Sequence, residues 1–500
     1  MKTNIFSMNN KLLWIGTFCV SAVLYFLTAQ QGVSWQDSAV FQWRIIMGDY
    51  IGDYGLAVAH PLYILIGQIF LFLPTGDMAF RLNFASGVGM SIALANIAVL
   101  AFQLTGRQWI GIATALMLSV MHTVWWLSTI AEVYTWNAAF MTGELLLLIH
   151  LIRAPKWQAA VALAFLNGLN WSVHNLALLA LPVYVVVLIV LVKKRKLPAW
   201  ALAASAAGFV SGSALYIIMI VFLALKKGDL WRAISSALFG RYTSKVLNVQ
   251  TSWHFLKQNT ALGLLNFVNF SVPLAVIGWF GMKRCLGGFL AAALIAITVI
   301  HFGFVTRYPV PDQFTFLLPS LVMIMLAASV GVSVLAERSK KWRIAVIFAC
   351  AVSVIMPPII YAKTPKIIEL TGIKVKRERQ RPYRDEIRYW VIPWKHNERS
   401  AEQFAEAALK QALPNGIIIS DLTAYYPLVL VQQRDNTTAP EVSVKLLDTN
   451  EKPGRKNILL DRSVFVVLPD LKFLAPDIMA RVEIRREKEE VLYSVKWTNP

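Results

Sequence analysis

A chain of 500 residues that is 57 % hydrophobic and only 15 % charged holds far more apolar sequence than one soluble core uses, which excludes an ordinary water-soluble enzyme and a disordered chain. The net charge of +20 resembles that of a nucleic-acid binder. Its excess, however, sits in short basic clusters between apolar runs, where the positive-inside rule places it, so membrane lipids rather than nucleic acid are the expected surroundings. Cys19, Cys285 and Cys350 lie in or beside apolar runs without metal-ligand spacing, which argues against a disulfide framework or a zinc site.

The chain begins with Lys2 and Lys11 ahead of an apolar run reaching about Ala29. The run is long for a signal peptide and lacks a clear cleavage site, so a retained anchor is expected. Gln30 to His60 then emerges outside the cytoplasm, carrying Asp37, Asp49 and Asp53 among aromatic and apolar residues, and reads as an interfacial loop. Pro61–Leu73 is apolar but short for a bilayer whose core takes roughly 20 helical residues to cross, so it is expected to be re-entrant or interfacial. Longer runs follow at Arg81–Phe102, Trp109–Trp125, Trp136–Ile152, Trp157–Leu169, His174–Val192, Ala199–Leu225, Ala261–Met282, Leu286–Val305, Phe314–Leu335 and Ile344–Tyr361. With the first helix these make about eleven spans.

Charge tests that count, because successive loops alternate sides. With Pro61–Leu73 not spanning, Arg107, Arg153 with Lys156, the Lys193–Lys196 cluster, Lys283-Arg284 and the Arg338–Arg343 cluster share one face, the cytoplasmic one. The opposite face receives Asp37, Asp49, Asp53, Asp77, Glu132, Asp229 and Asp312, seven of the nine acids before Tyr361. Chemistry that uses carboxylates is therefore expected outside. One outer loop, Lys226–Lys257, is basic; it reads either as a segment resting on anionic headgroups or as a holder of lipid-linked phosphate. Glu144 and His150, inside a span, read as buried partners of neighbouring helices.

After Tyr361 the composition changes, with 24 basic and 19 acidic residues replacing the long apolar runs. Residues 362–500 are expected to form a small soluble α/β domain outside the cytoplasm, following a membrane domain of residues 1–361 whose first outer loop spans 30–80. Within it, Ala401–Leu413 and Ala424–Gln433 read as helices, and Gly416–Ser420, Val442–Leu446 and Val464–Leu468 as strands. Asp421 stands at a strand end, where capping the next helix and touching substrate are equally open. Asn436-Thr437-Thr438 is a glycosylation sequon that matters only in a eukaryotic secretory compartment.

Several short runs, taken in this order, carry a resemblance. They are Gln36-Asp37-Ser38, Ala59-His60-Pro61-Leu62-Tyr63, Arg81-Leu82-Asn83, Ala131-Glu132-Val133-Tyr134, Gly168-Leu169 with Val173-His174-Asn175, Val310-Pro311-Asp312-Gln313 with Leu318-Pro319, and Ala412-Leu413-Pro414-Asn415-Gly416. Together they resemble the bacterial and eukaryotic membrane-protein family, long a domain of unknown function, that includes a eukaryotic protein O-mannosyltransferase. The family often carries a longer Pro-rich stretch after its His-Pro; here His60-Pro61 passes straight to Leu62-Tyr63.

The resemblance implies a GT-C fold: an α-helical polytopic membrane protein whose first outer loop carries an acid, with a sugar on a polyprenyl phosphate as donor. Asp37 matches that acid and is the expected catalytic base. Such a transfer also needs positive charge at the departing phosphate. His60, Arg81, Glu132, His174, Arg241, Arg307 and Asp312 are the candidates for holding phosphate or supporting the acid, the arginines foremost because the guanidinium stays charged and binds two oxygens. Trp35 and Tyr134, with Trp126, are candidates for stacking on sugar or acceptor, although aromatics at a membrane boundary commonly form the interfacial belt. No cofactor is certain. A divalent metal stays open, but the scattered acids make no recognisable ligand set.

Three functions are compatible with these observations. They are sugar transfer to a protein hydroxyl, sugar transfer to a lipid or surface glycan, and transport. Transporters tend to show internal repeats and broken helices meeting at midplane, whereas here the acids gather on one face beneath a soluble domain. Mannose as the sugar, a bacterial inner or plasma membrane as the location and a protein or glycan acceptor complete the expectation.

Overall fold

The computed structural model describes residues 8–250, 252–371, 381–434, 441–446, 463–468, 482–487 and 490–497. The Asn436–Thr438 sequon lies outside them. Seven helices are long and apolar enough to cross a membrane: Met8–Thr28, Met78–Thr105, Tyr134–Arg153, Asn175–Lys193, Gly288–Thr306, Gln313–Arg338 and Lys340–Thr371. Two further runs are bent. Trp200–Gly212 meets Ala214–Lys227 at 70°, and Trp253–Asn266 meets Ser271–Leu286 at 99°, so length and composition support seven to nine crossings among the described residues.

Two of the expected runs are shorter than a full crossing. One becomes Gln108–Ser119, 12 residues, and the other Trp157–Val173, 17 residues. Hydropathy alone does not report bends, since a broken helix keeps its apolar composition. At the sharper break the freed backbone is satisfied by side chains: Asn269 Oδ1 accepts from the Ser271 amide at 2.9 Å and Ser353 Oγ from the Phe270 amide at 3.1 Å. Side-chain partners of this kind are what make non-helical backbone tolerable at membrane depth. Pro61–Phe70 forms a helix of ten residues, about 15 Å long at 1.5 Å per residue, half the thickness of a hydrocarbon core.

Small residues let the long helices approach closely. Ser271–Leu286 crosses Leu318–Arg338 at Gly278 and Gly331, where a Cβ on either would fall within 1.8 or 1.9 Å of the other helix's carbonyl oxygen. Only glycine fits such a crossing.

The end of the bundle that carries the Gln36–Met47 helix is tied together by Asn83, fully buried near the start of the Met78–Thr105 helix. Its amide nitrogen donates to the carbonyls of Gln30 at 2.9 Å and Gly32 at 3.0 Å. Its oxygen accepts from Gln42 Nε2 and from the Ala131 amide, both at 2.9 Å. One side chain thus satisfies backbone in two loops and holds both beside the Gln36–Met47 helix.

Beyond the last span lies a five-stranded mixed sheet in the order β2-β1-β3-β5-β4, formed by β1 Ile417–Ser420, β2 Ser443–Leu446, β3 Val464–Val466, β4 Val482–Arg485 and β5 Tyr493–Trp497. β1 pairs in parallel with β2 and β3, and β5 antiparallel with β3 and β4. Helix Leu422–Arg434 makes the crossover between β1 and β2 and packs on the Gln36–Met47 helix, with Trp43 and Tyr426 6.4 Å apart between ring centroids. The segment before the sheet is bound to the membrane helices by Lys395 N to Thr28 O at 2.8 Å, Thr129 Oγ1 to Pro393 O at 2.9 Å and Trp35 Nε1 to Ser400 Oγ at 2.8 Å.

Candidate active site

The loops at one end of the long helices and the segment after the last span enclose a cavity of about 1910 Å³. Seven of the ten site candidates line it: Trp35, Asp37, His60, Glu132, Tyr134, His174 and Asp312. They come from widely separated parts of the chain, and only the fold brings them together.

Asp37 sits in the first turn of the Gln36–Met47 helix, behind Gln36 at φ 56°. A non-glycine residue in the left-handed region is uncommon, and such residues cluster at functional sites. Trp35 is the N-cap of this helix and makes no side-chain capping bond. The Asp37 carboxylate is open to the cavity yet enclosed by protein on the scale over which charges interact. That enclosure, followed by the nearby Asp312 charge, raises its pKa to about 7. Its neighbour Ser38 donates to Glu132 Oε1 at 3.0 Å. Glu132 is held well above the usual carboxylate range, first by burial and then by Asp37, and Asp312 is raised chiefly by burial. One wall of the cavity therefore carries three carboxyl groups whose charges oppose one another.

The adjoining wall is aromatic. His60 and His174 stack with centroids 4.9 Å apart and planes 11° apart. Tyr134 leans on His174 at 5.0 Å, and Phe41 meets His60 edge-on at 5.8 Å. Burial lowers both imidazole pKa values, His60 well below the usual range and His174 to about 3.

Three candidate cations are directed elsewhere. Arg81 donates to the carbonyls of Leu71, Thr75 and Gly76, Arg307 to those of Val246 and Asn248, and Arg241 to that of Asp53 while lying over the Tyr54 ring. Neither Arg81 nor Arg307 lines the cavity; Arg241 lines a separate cleft of about 370 Å³. Each closes a loop by satisfying backbone oxygens.

The cavity contains two other arginines. Arg44 is placed by a detectable signal, the same helix face as Asp37 two turns on, and it donates to the carbonyls of Asp49, Val58 and Ala59. Arg384 comes from beyond the last span and no motif marks it. It bonds Glu386 Oε1 through Nε at 2.8 Å and Nη2 at 2.7 Å. Its guanidinium lies 5.3 Å from the Trp35 ring centroid and 4.6 Å from that of Tyr389, and among the described residues Nη1 has no hydrogen-bond partner. Trp390 stacks on Trp126 at 5.2 Å and 13°; both line the cavity with Phe314. Asp421 lines it too and accepts from Arg381 at 2.6 Å. Among the described residues no three His, Cys, Asp or Glu side chains converge as a metal-ligand set.

Glu144, buried in its span, accepts from Asn170 at 2.8 Å, Tyr184 at 2.9 Å and Asn167 at 3.2 Å. Asn167 also donates to Ala177 O at 3.0 Å. This network braces the helix break at which His174 stands.

Known proteins share this fold. The chain superposes on ArnT from Cupriavidus metallidurans, crystallised with undecaprenyl phosphate, with a TM-score of 0.55 at 11 % identity, covering 98 % of each chain. The same enzyme in its apo state gives 0.53 at 10 % identity, over 97 % of this chain and 98 % of that one. An Archaeoglobus fulgidus oligosaccharyltransferase, in complex with zinc and sulfate, gives 0.51 at 11 % identity over 86 % of this chain, which spans 62 % of that protein's length. At such identities the likeness establishes fold. A family model described as the N-terminal domain of protein O-mannosyl-transferase TMEM260 matches residues 50–198, which include His60, Glu132, Tyr134 and His174 but begin after Asp37. By fold the chain is a polytopic membrane protein of the GT-C type, and its residues 50–198 match the N-terminal domain of the TMEM260 protein O-mannosyl-transferase family.

Proposed function

We propose that the protein transfers a sugar from a polyprenyl-phosphate donor to a hydroxyl acceptor on the outer membrane face, with inversion at the anomeric carbon. The observation that carries this reading is Asp37: a carboxylate with a raised pKa, open to a large cavity at the membrane boundary and without a hydrogen-bond partner among the described residues. A base poised near neutral pH and left free of structural bonds suits removal of a hydroxyl proton. The acceptor oxygen then attacks the anomeric carbon, the carbon–oxygen bond to phosphate breaks, and the polyprenyl phosphate departs with its electron pair. Arg384 is the cation placed to steady that charge.

Mannose as the sugar and protein Ser or Thr as the acceptor are supported by the family description over residues 50–198. The lipid carrier is supported by the undecaprenyl phosphate bound to ArnT, a protein of the same fold. The membrane part and the post-membrane domain act as one unit in this reading, with the latter outside the cytoplasm.

The test is purified protein in detergent, supplied with polyprenyl-phosphate mannose and an acceptor preparation of exported proteins or lipids. Asp37→Asn keeps volume and an acceptor oxygen but takes no proton at neutral pH, so turnover falls about 10²-fold or more while thermal stability does not fall, because the neutral amide avoids the cost of an enclosed ionised carboxylate. Near-normal turnover by this variant removes the base assignment. Labelled lipid rather than labelled protein as product selects the glycolipid reading.

A further inference from the structure

His60 and His174 share a feature that stacking does not explain. The Nδ1 atom of His60 lies 2.8 Å from Val173 O. A carbonyl only accepts, so Nδ1 carries the proton and Nε2 is left with a lone pair. His174 is bonded in the opposite sense: its Nδ1 lies 3.0 Å from the Leu176 amide and accepts from it. An N–H donor there requires an unprotonated Nδ1, so in the neutral ring Nε2 carries the proton. These tautomers are assigned from the hydrogen-bond partners. The stacked pair therefore offers one acceptor and one donor. Both rings line the cavity, and among the described residues neither Nε2 has a protein partner or is sealed from solvent.

The backbone holds this pair in place under strain. His60 is at φ 50° and precedes Pro61, and both a side chain in the left-handed region and an α-type conformation before proline are disfavoured. Arg44 pins the strained turn through Val58 O at 3.0 Å and Ala59 O at 2.7 Å. On the other side the Glu144, Asn167 and Asn170 network braces the helix break at His174.

We propose that His60 and His174 form a donor–acceptor pair for hydroxyl groups of the transferred sugar, His60 Nε2 accepting and His174 Nε2–H donating. The proposal rests on the reading of the cavity as a donor-sugar site. A phosphate, which offers acceptors only, would meet a lone pair on His60. A sugar hydroxyl both donates and accepts, and so satisfies both rings. Tyr134 and Phe316 against His174, at 5.0 and 5.8 Å, add apolar ring faces of the kind that suit the C–H face of a sugar.

Asparagine separates the two edges of each histidine, since its amide stands where Nδ1 does and nothing replaces Nε2. In His60→Asn the amide nitrogen still donates to Val173 O, and Asn tolerates the left-handed conformation. In His174→Asn the side-chain oxygen still caps the Leu176 amide. The experiment measures binding of undecaprenyl-phosphate mannose, undecaprenyl-phosphate glucose and bare undecaprenyl phosphate to the full-length protein in detergent. Wild type is expected to favour a sugar-bearing lipid over the bare one. Each Asn variant should lose about tenfold of that preference, the scale of one hydrogen bond, while bare-lipid affinity stays unchanged. Variants that retain the full preference overturn the pair. Equal wild-type affinity for all three lipids also overturns it while leaving lipid-phosphate binding intact. A wild type that binds none of them overturns the donor reading itself, and the pair with it.

Discussion

Ser38 Oγ donates to Glu132 Oε1 across 94 positions of sequence, at 3.0 Å. The bond couples the turn that carries Asp37 to the loop entering the Tyr134–Arg153 helix, and Ser86 anchors the same loop by accepting from the Glu132 amide at 2.8 Å. Asp37 is thus held at the cavity wall by its neighbours while its own carboxylate has no hydrogen-bond partner among the described residues.

Activity is expected to rise with pH through about 7, where Asp37 becomes ionised. Asp312→Asn removes a like charge and should move this acid limb to lower pH. Stability runs the opposite way. The folded state binds the Asp37 proton more tightly than the unfolded chain, whose carboxyl has the ordinary value of 3.8. This contribution is fully present below that value and is lost as pH rises through about 7. Rate profiles and thermal melts across pH 4–9 check both; an acid limb unmoved in Asp312→Asn removes the proposed coupling.

Arg384→Ala should raise KM for the lipid donor roughly tenfold or more, the scale of a hydrogen bond to a charged group. Lysine should rescue only in part, because it lacks the planar fork that sits between Trp35 and Tyr389. Arg81→Lys and Arg307→Lys, by contrast, should change stability rather than KM, as their donors serve backbone carbonyls. Donor titrations of the variants at these three positions discriminate; a KM shift in Arg307→Lys alone would return the phosphate to Arg307 and the basic Lys226–Lys257 loop whose carbonyls it holds.

Glu144→Ala leaves the side-chain donors of Asn167, Asn170 and Tyr184 without their shared acceptor. Each buried group so stranded costs about 1–3 kcal/mol, with the lower end expected inside a membrane bundle. Glu144→Gln keeps one acceptor oxygen and should lose less. Melting temperatures in detergent rank the pair; equal stability of Glu144→Ala and wild type would mean that the network relaxes around the cavity it leaves.

Orientation is tested by labelling with an impermeant thiol reagent after replacement of Cys19, Cys285 and Cys350. Ser420 is buried in β1 and unsuited as a probe, whereas Lys410 is exposed on the Ser400–Gln411 helix. Lys410→Cys should react in intact cells and Lys194→Cys only after lysis. The reverse pattern inverts the topology drawn from loop charge.

Membrane class, helical character and the gathering of acids on one face are legible in the sequence by itself, because hydropathy and charge act residue by residue and their sums survive without knowledge of contacts. The same local logic places Asp37, His60, Glu132, Tyr134, His174 and Asp312 at the ends of apolar runs, where a common surface collects them. Hydrogen-bond partners depend on three-dimensional approach, and there the tertiary structure decided. It turns Arg81, Arg241 and Arg307 toward backbone carbonyls and bends Trp253–Leu286 by 99°. It also brings Arg384, Tyr389 and Trp390 across from beyond the last span. The opposite tautomers of His60 and His174 belong to this second kind: two identical side chains become acceptor and donor only because one meets the Val173 carbonyl and the other the Leu176 amide.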